Sequence, residues 1–99
     1  MPKRISLSFS ESAVSDLEEI LAYFKEQSVP ETGRKLVVEI MAQMERLSLY
    51  PDSGRVVPEF GIEQLREIIH PPFRIVYRRE KDKVRIVRVW RSERLLKLP

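Results

Sequence analysis

In LREIIHPPFRIVYRREKDKVRIVRVWR, residues 65–91, apolar and basic side chains alternate with a period near two, and the runs are broken at Pro71-Pro72 and at Glu80-Lys81-Asp82-Lys83. That period and punctuation predict two or three short antiparallel strands. Whether the second turn is tight or takes all four of the residues 80–83, Arg79 pairs with Val84. The same register then sets Tyr77 opposite Ile86, Val76 opposite Val87, Ile75 opposite Arg88, Arg74 opposite Val89 and Phe73 opposite Trp90.

Successive side chains of a strand point to opposite faces, so this hairpin sorts into two unlike surfaces. One carries Phe73, Ile75, Tyr77, Val84, Ile86 and Trp90, interrupted by Arg88, and requires a core. The other carries Arg74, Arg78, Arg85 and Arg91 around Val76, Val87 and Val89. It is too cationic to bury without anions and too apolar to leave bare, which marks it as a binding surface. Arg78 and Arg85 fall directly opposite each other, and like-charged neighbours across strands destabilise a sheet by about a few tenths of a kcal/mol. A bound polyanion or acidic partner would offset that cost; the plainer alternative is a solvated, Arg-rich face kept for solubility.

The length, 99 residues, suits one domain spanning residues 1–99, with enough chain to bury a core unaided. The absence of cysteine excludes disulfides, thiol catalysis and thiolate metal sites, and fits a reducing cytoplasm. The start MPKRISLSFS has a basic tip, but serines interrupt its apolar residues, so it does not read as a signal peptide. No apolar run reaches the ~18–20 residues of a membrane span. Charge is unevenly divided: residues 1–65 hold 7 Lys/Arg against 11 Asp/Glu, and residues 66–99 hold 11 against 4. A basic field so concentrated favours nucleic acid, an acidic peptide or a ribonucleoprotein surface as partner.

Upstream, residues 4–9 alternate, with Ile5, Leu7 and Phe9 on one side, and predict a first strand. Ser10 can cap a helix over residues 11–27, whose stripe is Ala13, Val14, Leu17, Ile20, Leu21 and Phe24. Ser28-Val29-Pro30-Glu31 has the spacing of a capping box with proline in the first turn. The stripe that follows, Leu36, Val37, Ile40, Met41, Met44 and Leu47, ends at Pro51, and both methionines read as core. Two helices with a short joint make an antiparallel hairpin that must cover the apolar sheet face. Pro51-Asp52-Ser53-Gly54-Arg55, Pro58 and Gly61 read as an irregular loop without phosphate-cradling spacing. In the strand Leu65–His70, a turn at residues 70–72 would put Leu65 and Ile69 in the core and Arg66 and Ile68 on the basic face. The tail from Ser92 to Pro99 is too short for an independent helix; it could fold over the exposed valines or await a partner.

Several pieces in this order resemble the RelE/ParE superfamily of bacterial type II toxin–antitoxin toxins. They are Ala13-x-x-Asp16-Leu17, Ile20-x-x-Tyr23, Pro51-x-x-Gly54-Arg55, Leu65-Arg66-Glu67, Phe73-Arg74-Ile75-Val76-Tyr77-Arg78 and Val84-x-Ile86-x-x-Val89-Trp90. The resemblance implies an α+β domain: an N-terminal strand and an antiparallel two-helix hairpin on one face of a twisted, mainly antiparallel sheet. It implies a growth-inhibiting toxin of a plasmid-stabilisation or addiction module, neutralised by a cognate antitoxin, as a homodimer or a toxin–antitoxin hetero-oligomer. The antitoxin segment would lie over Val76, Val87 and Val89, with its acidic residues pairing with Arg74, Arg78, Arg85 or Arg91, and Arg66 would belong to the same surface.

One branch of the superfamily cuts mRNA on the ribosome; the other poisons DNA gyrase without an established catalytic set. Arg74 matches the family's strand arginine, but many relatives carry a histidine after Val-Trp where this chain has Arg91-Ser92. Cleavage through a 2′-hydroxyl needs a proton acceptor, a proton donor and charge stabilisation, and arginine supplies only the last. The remaining catalytic candidates, Glu67 and His70, read more simply as a strand ion pair and a turn residue, and Tyr77 as packing. No acid/base pair stands out, which tilts the reading toward gyrase, with mRNA cleavage or a non-toxic binding module as alternatives. No cofactor or metal-ligand spacing is present.

Overall fold

Ser10 ends the first strand and starts the first helix: its Oγ accepts the Ala13 N–H at 3.0 Å and donates to the Val87 carbonyl at 2.7 Å. The computed structural model describes residues 3–91. Its elements are β1 (Ser6–Phe9), α1 (Glu11–Glu26), α2 (Pro30–Arg46), β2 (Arg55–Val56), β3 (Leu65–His70), β4 (Phe73–Arg79) and β5 (Lys83–Arg91). The sheet order is β1-β5-β4-β3-β2, with β1 parallel to β5 and every other pair antiparallel. The helical hairpin covers one face, an α+β arrangement of the expected class. The reading of the tail from Ser92 onward lies outside the described residues.

The main core forms where the helices meet the sheet. Ala13, Ile20, Ile40, Met44 and Leu47 pack against Phe73, Ile75, Tyr77, Val84, Ile86 and Val89. Each large aliphatic side chain fully buried there contributes about 1.5–3 kcal/mol. The apolar stripes are narrower than their spacing suggests. Val14, Leu21 and Met41 are exposed, because each sits one position, about 100° of helix, past a buried Ala13, Ile20 or Ile40. Met41 is therefore not core, whereas Met44 is.

The capping box does not form. Val29 is the N-cap of α2, and no side chain caps it. The joint between the helices places Ser28 in the left-handed region at φ 63°, ahead of the cap. Glu31 instead pairs with Arg34 one turn on.

The hairpin register holds only near its tip. Arg79 pairs with Val84, Arg78 with Arg85 and Tyr77 with Ile86, but Val76 pairs with Arg88, Ile75 with Val89, Arg74 with Trp90 and Phe73 with Arg91. Val87 is an extra residue, a β-bulge, and it shifts everything beyond it by one position. Val89 therefore enters the main core, and Trp90 joins a second cluster on the opposite, helix-free face with Val57, Leu65, Val76 and Val87.

The register expected for β3 is likewise reversed. Only Pro71-Pro72, joined by a cis peptide, separates His70 from its partner Phe73, so Leu65 pairs with Arg78 and Ile69 with Arg74 on the helix-free face. Arg66 and Ile68 lie on the helical side, with Ile68 packed against the main core.

The segment after α2 is pinned by Tyr77. Its hydroxyl donates to the Pro51 carbonyl at 2.7 Å and accepts the Gly54 N–H at 3.0 Å. A Cβ on Gly54 would lie 2.6 Å from that hydroxyl and 2.7 Å from the Glu67 carbonyl oxygen, so glycine is required by close approach. Gly54→Ala is expected to cost about 1–3 kcal/mol, read as a lower urea midpoint at unchanged slope.

Burial, only partly offset by the Gly54 N–H, raises the Tyr77 phenol above its ordinary value of 10.0. A raised folded value favours the neutral phenol. Its contribution to stability is complete below pH 10.0 and is lost as pH climbs through the folded value. In alkaline titration, the difference between wild type and Tyr77→Phe should therefore show phenolate only above that pH. Ionisation below it would contradict the buried, doubly bonded hydroxyl.

Candidate partner-binding face

Most guanidinium groups of the sheet are already engaged. Arg74 points to the helix-free face but is 6% exposed, covered by the segment between β2 and β3. Its Nε donates to Glu67 Oε1 at 2.7 Å, and its Nη1 and Nη2 grip Glu59 at 2.6 and 2.8 Å. Glu67, 1% exposed, accepts from Arg55 Nε through its other oxygen at 2.7 Å. Two arginines and two carboxylates thus balance, with Glu67 and Arg74 buried and Arg55 and Glu59 reaching solvent. The fork to Glu59, opposed by burial and helped by Glu67, drives the Arg74 pKa above its ordinary value, so the group is a fixed cation.

Arg88 leaves the sheet at the bulge. Its Nε and Nη2 donate to Asp16 of α1 at 2.8 and 2.9 Å, and its guanidinium stacks 4.3 Å from the centre of the Trp90 ring. Asp16 Oδ2 also accepts the Val89 N–H at 2.9 Å. β1 stops opposite Ile86, so this carboxylate satisfies a backbone donor on the edge of β5 that faces away from β4 and that β1 no longer covers. Arg79 donates to Asp52 at 3.1 Å, and Arg66 to the Glu63 and Gly54 carbonyls at 3.0 Å.

The residues expected to share one binding surface are therefore dispersed. Val76 is fully buried in the second cluster and Val89 is in the main core. Arg66 bonds backbone on the helical side, and Arg74 is enclosed. Arg91 lies 5.9 Å from the centre of the Phe73 ring, lining a cavity of about 480 Å³ with Asp16, Ile20, Phe24 and Trp90. Val87 is half-buried on the helix-free face. Arg78 and Arg85 are exposed, side by side on that face.

The catalytic candidates do not converge. His70 sits on the helical side with Nε2 3.6 Å from Glu39 of α2, whereas Glu67 and Arg74 are paired on the opposite side of the sheet. Among the described residues no cluster of three or more His, Asp or Glu could hold a metal ion, and no helix is long and apolar enough to cross a membrane. Two residues that organise this chemistry, Glu59 and Asp16, were not apparent as such in the sequence. Glu59 lies in an aperiodic loop, and Asp16 stands in the sequence as part of the Ala13-x-x-Asp16-Leu17 piece of the family resemblance, with no ion-pair role attached to it.

A family profile described as the ParE toxin of the type II toxin–antitoxin system parDE matches residues 7–96. Among solved structures, the chromosomal ParDE toxin–antitoxin system from P. aeruginosa is similar at 25% identity and TM-score 0.77, covering 91% of this chain and 98% of that one. The toxin–antitoxin complex RelBE2 from Mycobacterium tuberculosis shares the fold at 17% identity and TM-score 0.65, over 92% and 95% of the two chains. No curated protein sequence matches the chain.

Removing Glu67 costs two charge-assisted hydrogen bonds at a buried position, although Arg74 keeps its fork to Glu59 and the Arg55 side chain is 61% exposed. Glu67→Gln is expected to cost about 2–3 kcal/mol. Glu59→Gln, at a side chain 29% exposed, should cost about 1 kcal/mol. Urea denaturation of the two variants tests the order, and equal losses would remove Glu67 as the centre of the network.

Proposed function

Since this chain belongs to the ParE toxin family of type II toxin–antitoxin systems, we propose that it arrests growth by poisoning DNA gyrase and that a cognate antitoxin holds it inactive. The observation that carries the choice of target is the condition of Arg74. An mRNA endonuclease would need that guanidinium open to a scissile phosphate, with a proton acceptor and donor beside it. Here it is enclosed and held by Glu59 and Glu67.

Neither carboxylate serves as a base beside a phosphate. Glu67 is fully buried between two arginines, and the Glu59 oxygens lie in the fork. His70 faces α2 across the sheet. Gyrase poisoning asks for a docking surface and no acid/base set in the toxin, which this arrangement supports. The P. aeruginosa relative is solved as a ParDE system, which supports an antitoxin partner.

Expressed alone in bacteria, the chain should slow growth, and co-expression of its adjacent reading frame should relieve the effect. In a purified system it should inhibit gyrase supercoiling while ribosome-bound mRNA stays intact. The Glu59→Gln variant, which loosens the hold on Arg74, should still leave mRNA uncut. Cleavage on the ribosome with supercoiling unaffected would overturn the proposal.

A further inference from the structure

We propose that Arg78 and Arg85 form a two-arginine clamp for carboxylates of an acidic protein segment. The two are direct cross-strand partners, which places their Cβ atoms about 4.5–5.5 Å apart on one face. The row they belong to runs Leu65, Arg78, Arg85, Ser8 across four strands and contains no carboxylate. Two residues along, Glu80 is engaged by Lys83 at 3.6 Å. Among the described residues neither arginine makes an ion pair; Arg85 reaches only the Ser8 hydroxyl, at a long 3.5 Å. Two exposed guanidiniums therefore repel each other across a strand pair, with no carboxylate among the described residues to offset it.

The chemistry of the occupant follows from what surrounds the pair. A nucleic acid would require a band of free cations following successive phosphates. Here Arg55, Arg74, Arg79 and Arg88 are already bonded to carboxylates, so on the helix-free face of the described sheet the exposed guanidiniums without a carboxylate are the adjacent pair Arg78 and Arg85. Half-buried Val87 and Trp90 lie on the same face. Paired guanidinium forks beside a small apolar strip suit a peptide that presents one or two carboxylates next to an apolar side chain. The inference rests on the antitoxin part of the function proposed above and is independent of gyrase.

The test is titration of the full-length protein with a synthetic glutamate–leucine peptide, and separately with a single-stranded oligothymidylate of equal charge. The peptide should bind more tightly, with affinity that falls as salt rises. Arg78→Gln and Arg85→Gln should each weaken it about three- to tenfold, and Lys81→Gln, at the hairpin tip, should not. Arg78→Lys/Arg85→Lys should retain part of the affinity, since charge survives but the fork does not.

The glutamine variants should also melt about 1–3 °C higher, because the repulsion is gone. A merely solvated pair would gain the same stability without losing affinity. Unchanged peptide binding in the double glutamine variant, no peptide binding at all, or tighter binding of the oligonucleotide would overturn the clamp. None of these readouts depends on growth arrest or supercoiling, so the clamp and the proposed target fail separately.

Discussion

One residue too many in β5, Val87, fixes which side of the sheet everything after it faces. Without it Val89 would lie on the helix-free face and Trp90 under the helices. With it, a small β-branched side chain fills the core beside α1, and the large indole goes to the other face to cover Val57, Leu65 and Val76. The bulge also frees Arg88 from the alternating pattern, so its guanidinium reaches Asp16 while stacking on Trp90. That contact locks α1 to the part of β5 that runs beyond β1.

The second organising feature is the internal pairing of much of the positive charge that β4 and β5 carry. Sequence charge suggests a broad cationic surface, but most of it is consumed within the molecule. Asp16, Asp52, Glu59 and Glu67 each take an arginine. Asp16 comes from α1, Asp52 from the turn after α2, Glu59 from the segment between β2 and β3, and Glu67 from β3 itself, so three of the four tie a neighbouring element to the β4–β5 hairpin. Arg74 illustrates the exchange most fully: the alternating pattern places it on an open basic face, yet it is enclosed and held by Glu59 and Glu67.

Much of this was legible from residue pattern alone. Period-two alternation located β3, β4 and β5, the three- and four-residue spacings located both helices, and Ser10 marked the first cap. What failed did so for identifiable reasons. A bulge leaves no mark on alternation when the inserted residue is a valine among valines, and the register of β3 hinged on whether His70 belonged to the turn. The charged residues were harder still. Whether an arginine is free or paired depends on which carboxylate folds back onto it, and Glu59 acts from 15 positions upstream of Arg74, Asp16 from 72 upstream of Arg88. Arg78 and Arg85, near the tip where the register was right, were placed correctly.

The pairing of β1 with β5 has a further consequence for biosynthesis. Ser6–Phe9 finds its strand partner only at residues 83–86, and Ser10, which caps α1, bonds to Val87. A nascent chain can form its helical hairpin early, but it cannot close the sheet or seat α1 on it until residues 83–87 have left the ribosome. A toxin-family chain so connected acquires its finished sheet surface only once β5 has emerged, so its helical hairpin is present before the face that β5 completes.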